Sequence, residues 1–210
     1  MKKTLIILLA LVTFVALPES AVAQVDLTKA LGGLLGGSSK SSSAATSPYK
    51  KLADAAPAAS TLYGSWSYDS ATFTYVGSNP LADIVIAQLD PVILDVLKQM
   101  SVSRGSATLK LDSGKGSITQ AGSTLEGEYT YQRSTAGITV SAIIDGKSVS
   151  VSGYVKYAQS MLTVLLDVKQ MLKAVKTVYP EYKNDQNVLL VESLLKDLGD
   201  VYVVGKFKKQ

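Results

Sequence analysis

Three short stretches carry residue types that could do chemistry. Ser193 and Lys196 have the S-x-x-K spacing, which on a helix brings a hydroxyl beside an amine, as in penicillin-recognising hydrolases. The S-D-N and K-T-G companions of that motif are missing, and both residues suit the wet side of an amphipathic helix. Ser113-Gly114-Lys115-Gly116 has the look of a phosphate loop. However, Gly116 stands where Ser or Thr should be, and Leu109 where the first glycine should be, so the stretch reads as a hairpin turn. Glu126 and Glu128 share one strand face like a catalytic carboxylate pair, but Thr130 and Gln132 continue that face and make it a solvated one. The chain has no histidine and no cysteine. That removes soft metal sites, Ser-His and Cys-His catalysis and the usual near-neutral proton shuttle. The expectation is a non-enzyme without a cofactor.

Tyrosine is the more informative residue, with 11 in the chain against three Phe. Tyr68, Tyr129 and Tyr131 fall on strand faces shared with Trp66 or Leu125. A buried phenol needs a partner, and a pocket uses such groups to hold an apolar ligand with one polar end. The candidate lining is therefore Trp66, Tyr68, Leu125, Tyr129, Tyr131, Val140 and Val151. The same residues would also serve as core filling, and that alternative stays open.

Next come the segments that must position these residues. Residues 1–23 read as a signal peptide: Lys2 and Lys3, an apolar run from Leu5 to Leu17, then Ala21-Val22-Ala23, with cleavage expected between Ala23 and Gln24. The apolar run is shorter than the ~20 residues a spanning helix needs, so no membrane span is expected in the mature chain. Without cysteine there is no lipid attachment point and no disulfide, although export normally permits disulfides. Residues 24–60, rich in Gly, Ser and Ala, read as a flexible tether, and 61–210 as one domain. The net charge of +4 is mild and spread out, with no basic stripe for nucleic acid.

Within the domain, period-2 alternation dominates. Leu62, Gly64, Trp66 and Tyr68 share one face; Phe73 and Tyr75 have switched parity, so a bulge is expected at Asp69-Ser70-Ala71. Asn79-Pro80 and Asp90-Pro91 look like two cap-plus-proline helix starts. Short strands follow, with a hairpin at Asp145-Gly146. Asp167 reads as an N-cap, helical spacing runs from Val168 to Leu198, and Val201 to Phe207 forms a last strand. Eight or nine sequential antiparallel strands favour an up-and-down barrel, which removes exposed edges. An inward Trp66 early in the first strand plugs its closed end.

The pattern carried by GSWSY (64–68), GEYTY (127–131), LLDVKQML (165–172) and GKFKK (205–209) resembles the secreted lipocalin-like domains of unknown function from Gram-negative anaerobes of the Bacteroides kind. The resemblance implies a mainly β fold with helices: a lipocalin-like antiparallel barrel, a helical insertion after the first strands, and C-terminal helices before a closing strand. Two roles follow as expectations. One is an exported, periplasmic or extracellular binding protein holding a small apolar or amphiphilic ligand. The other is a filled barrel that meets another envelope protein.

Overall fold

The computed structural model describes residues 52–76, 101–198 and 200–210, together with positions 82, 86, 87, 94, 97 and 98. The leader, the Ala23–Gln24 junction, the tether up to residue 51 and the helix starts at Asn79-Pro80 and Asp90-Pro91 lie outside the described residues. The six described positions of the insertion are helical, and Ala82 and Leu97 among them are buried.

A short helix α1 (Ala59–Leu62) leads into β1 (Gly64–Val76). There follow β2 (Ala107–Asp112), β3 (Lys115–Gln120), β4 (Ser123–Gln132), β5 (Gly137–Ile144), β6 (Lys147–Ala158) and β7 (Met161–Asp167). β7 runs straight into α2 (Val168–Val178); α3 (Gln186–Leu198) precedes β8 (Asp200–Lys209). The eight strands are ordered as in the chain and form a closed barrel, with β8 pairing β1 from Trp66↔Lys209 to Val76↔Asp200.

Local sequence accounts for the joints. In β6, Val149, Val151 and Val155 are buried while Ser148 and Ser150 are exposed, as alternation requires. The parity switch in β1 is a bulge: its register against β8 slips between Tyr68 and Ser70, and the Asp69 carboxylate accepts the Arg104 Nε–H at 2.6 Å. Asp145 and Gly146 both take positive φ, 48° and 76°, which suits a two-residue hairpin. Asp167 caps α2 by accepting the Gln170 N–H at 2.8 Å. The outward positions Lys110, Glu126, Glu128 and Ser150 are polar, while Leu165 of β7 and Tyr202 and Val204 of β8 form a separate apolar cluster outside the barrel core.

The two ends of the barrel are closed differently. At the end where β1 begins, Trp66 is fully buried, donates its Nε1–H to the Leu62 carbonyl at 2.9 Å, and meets Tyr157 edge-on. Residues before 61 also pack at this end. Pro57 is already buried, and its carbonyl accepts the Tyr131 hydroxyl at 2.8 Å. At the other end, the helices joining β7 to β8 bury Val168, Met171, Leu172 and Val175 of α2 and Val188, Val191 and Leu195 of α3 in one core with the barrel interior. A Lys176–Glu192 ion pair ties α2 to α3.

Tyr68 is buried edge-on against Phe207, and burial, helped by the Asp69 carboxylate, pushes its pKa up to about 12. In the unfolded chain a phenol ionises near ~10. The folded state therefore keeps the proton longer. This contribution to stability is complete below about pH 10 and is lost as pH rises towards 12. Urea midpoints across that window should fall for the wild type and fall less for Tyr68→Phe. Equal slopes would assign the alkaline loss to other groups.

Candidate functional site

The barrel interior is not completely filled. A cavity of about 100 Å³ is bounded by Leu109 and Leu111 of β2, Ile118 of β3, Leu125 and Tyr129 of β4, Val140 of β5, Val151 of β6, Val164 of β7 and Phe207 of β8, among others. β1 contributes nothing to it. Two facing glycines, Gly116 and Gly127, are paired across β3 and β4, so this part of the wall presents backbone to the cavity. Gly127 is required there: a Cβ would lie 2.5 Å from the Ser141 carbonyl oxygen.

The inward side chains around the cavity are apolar except for one group, the Tyr129 hydroxyl. Tyr129 is only 7% exposed, and its oxygen is buried with no hydrogen-bond partner. Burial raises the pKa of this phenol. The Gly114 amide offsets part of the rise without reaching hydrogen-bond geometry, and Tyr63 and Asp112 add to it. Leaving such a group unpaired costs about 1–3 kcal/mol. The site is thus a small apolar space, one of whose lining residues carries a buried hydroxyl without a partner.

Of the seven residues singled out from the sequence, the fold brings Leu125, Tyr129, Val140 and Val151 together around the cavity. Trp66, Tyr68 and Tyr131 do not line it. Trp66 is taken up by α1 and Tyr157, Tyr68 by Phe207 beside the bulge, and Tyr131 by the Pro57 carbonyl. Leu109, Ile138, Val164 and Phe207 line it and were not in that set, although the same alternation marks them. The other motifs stay apart from it: Ser193 and Lys196 are exposed on α3, and Ser113-Gly114 forms the β2–β3 turn. Glu126 and Glu128 point outward beside the wall.

A closed eight-stranded meander, a buried Trp at the end where the first strand begins, and a small apolar interior space define a lipocalin-like barrel. The chain belongs to the family described as Lipocalin-like domain (DUF4923), whose family model matches residues 38–209. No curated protein and no solved structure matches it.

Proposed function

We propose that the protein is an exported, non-enzymatic binding module whose barrel holds a small apolar molecule bearing one hydrogen-bonding group, such as an alcohol. The observation that carries this reading is an otherwise apolar cavity lined in part by Tyr129, whose buried hydroxyl has no partner. A ligand hydroxyl supplies the missing partner, and its alkyl part fills the space. Size narrows the class. Drug-sized ligands need ~300–1,000 Å³, and a dry cavity of ~150 Å³ takes benzene. A cavity of about 100 Å³ therefore encloses an alkyl group of a few carbons rather than a whole lipid. The leader, with cleavage between Ala23 and Gln24, supports delivery to the periplasm or the cell exterior, and the mass of the exported chain tests it.

Tyr129→Phe separates binding from folding. Without ligand the variant should gain about 1 kcal/mol, because an unpaired buried hydroxyl is removed at nearly constant volume. Its affinity for 1-hexanol should fall about tenfold, the equivalent of about 1.4 kcal/mol. Urea denaturation reads the first effect and titration calorimetry the second. Wild-type protein that takes up no alkanol would rule out this reading and favour the filled barrel acting through its surface.

A further inference from the structure

We infer that the outer wall around β8, at the end where β1 begins, is a docking surface for an anionic lipid bilayer. It lies outside the barrel and does not depend on what the cavity holds. Lysines scattered along the chain, at 110, 156, 206 and 208, are gathered there by the strand register, and all are exposed. Lys156 of β6 pairs with Thr163 of β7, which pairs with Lys206 of β8, so the three lie on one rung. Lys208 stands two residues on, between Met161 of β7 and Ser67 of β1. Lys110 of β2 joins them through its partner Ser65 of β1, whose carbonyl accepts the Gln210 N–H at 3.0 Å. With strands ~4.8 Å apart and ~3.4 Å per residue, neighbouring members of this set have backbones about 7–12 Å apart. That spacing is comparable with the ~10 Å over which dilute salt screens charge, so the ammonium groups act on a surface together.

Little acid opposes them. The positions between, Ser65, Ser67, Met161 and Thr163, carry no charge. β6 has no acidic residue, and Asp167 of β7 and Asp200 of β8 lie at the far ends of their strands. Asp69, in the β1 bulge near Lys206, is already paired with Arg104, and Asp112 stands at the edge of the set, two residues beyond Lys110. The wall across the barrel is of the other sign: β4, four strands away in either direction, carries Glu126 and Glu128 and no basic residue. This charge asymmetry turns the β8 side towards a negative surface. Ammonium groups on separate flexible stems suit an array of laterally mobile lipid phosphates better than one bound anion. Partly exposed Met161 and exposed Ala158, paired in the middle of the lysines, add apolar contact at the headgroup boundary.

Co-sedimentation with vesicles of equal parts phosphatidylglycerol and phosphatidylcholine, against phosphatidylcholine alone, tests the surface. Binding should need the anionic lipid and weaken as salt is added. Lys156→Gln, Lys206→Gln and Lys208→Gln should each weaken it about fivefold, and together about a hundredfold. Lys169→Gln, Lys173→Gln and Lys183→Gln remove the same charge from exposed positions at the other end of the barrel, and that triple variant should keep wild-type binding. The chain has no cysteine, so an environment-sensitive dye can be placed on one introduced thiol. On Ala158→Cys its emission should shift to the blue with anionic vesicles; on Thr130→Cys, exposed on β4, it should not. Equal losses in the two triple variants would reduce the effect to net charge and overturn the surface. Competition by inorganic phosphate beyond that of chloride at equal ionic strength would mean a single-anion site, and retention on heparin without vesicle binding would mean an anionic polymer. Either result overturns bilayer docking.

Discussion

Gly153→Ala should destabilise the barrel by about 3 kcal/mol or more, at or above the top of the usual range for forcing extra volume into a packed site. Gly153 lies in β6 opposite Ile138 of β5 and Leu166 of β7. A Cβ there would lie 1.7 Å from the Leu165 carbonyl oxygen and 3.1 Å from the Leu166 Cα. Those are backbone atoms, so no side-chain rotation relieves the clash and β7 must move. β7 cannot move alone, because it is laddered to β8 and continues into α2. Gly122→Ala is the informative comparison. Nothing lies within 4 Å of its Cβ position, and the strain comes only from φ of +77°, worth about 1–2 kcal/mol. Denaturant midpoints with an unchanged slope should order the two clearly. Equal losses would mean that β6 and β7 are further apart in solution than the close approach at Gly153 requires.

The second large effect belongs to Trp66→Ala, expected at about 3–5 kcal/mol, the range for emptying a large aromatic site. The indole is fully buried, edge-on to Tyr157 with centroids 6.0 Å apart, and the Lys209 ammonium stands 5.3 Å above it. Its loss opens a cavity and strips the Leu62 carbonyl of its donor. Trp66→Phe divides these effects: the ring is largely kept while the carbonyl still goes unpaired, at about 1–3 kcal/mol. Far-UV circular dichroism in urea measures both variants without relying on the indole itself. A loss below about 1 kcal/mol for Trp66→Ala, typical of a surface change, would place the residue outside the core.

Alternation made most of this barrel legible in the sequence, because burying one face of a strand leaves a mark every second residue. Asp69-Ser70-Ala71 showed as a parity slip and is a bulge, and Asp167 showed as a cap and is one. The cavity was less legible, for a physical reason. Parity says which side chains point inward, but not which of them another element will claim. Trp66 and Tyr131 point inward and are claimed by the segment before β1, whose carbonyls at Leu62 and Pro57 take their donors. At Gly127 and Gly153 the space a side chain would take is occupied by a carbonyl of the adjacent strand. Nor does composition reveal that the Tyr129 hydroxyl lacks a partner, since the groups that act on it, Tyr63, Asp112 and the Gly114 amide, come from the segment before β1 and from the β2–β3 hairpin.

The seam between β1 and β8 has a kinetic meaning. The other strand neighbours are consecutive in the chain, and most are joined by tight turns, so they can zip as local hairpins. The seam alone joins opposite ends of the domain, and its loop-closure entropy must be met before its ten registered pairs return anything. Folding should therefore run through an open, curled sheet whose last step is closure, with Trp66 reaching its place only as β8 arrives. A chain permuted so that β8 led through residues 52–63 into β1 would keep the contacts described here and turn that slow encounter into a local one.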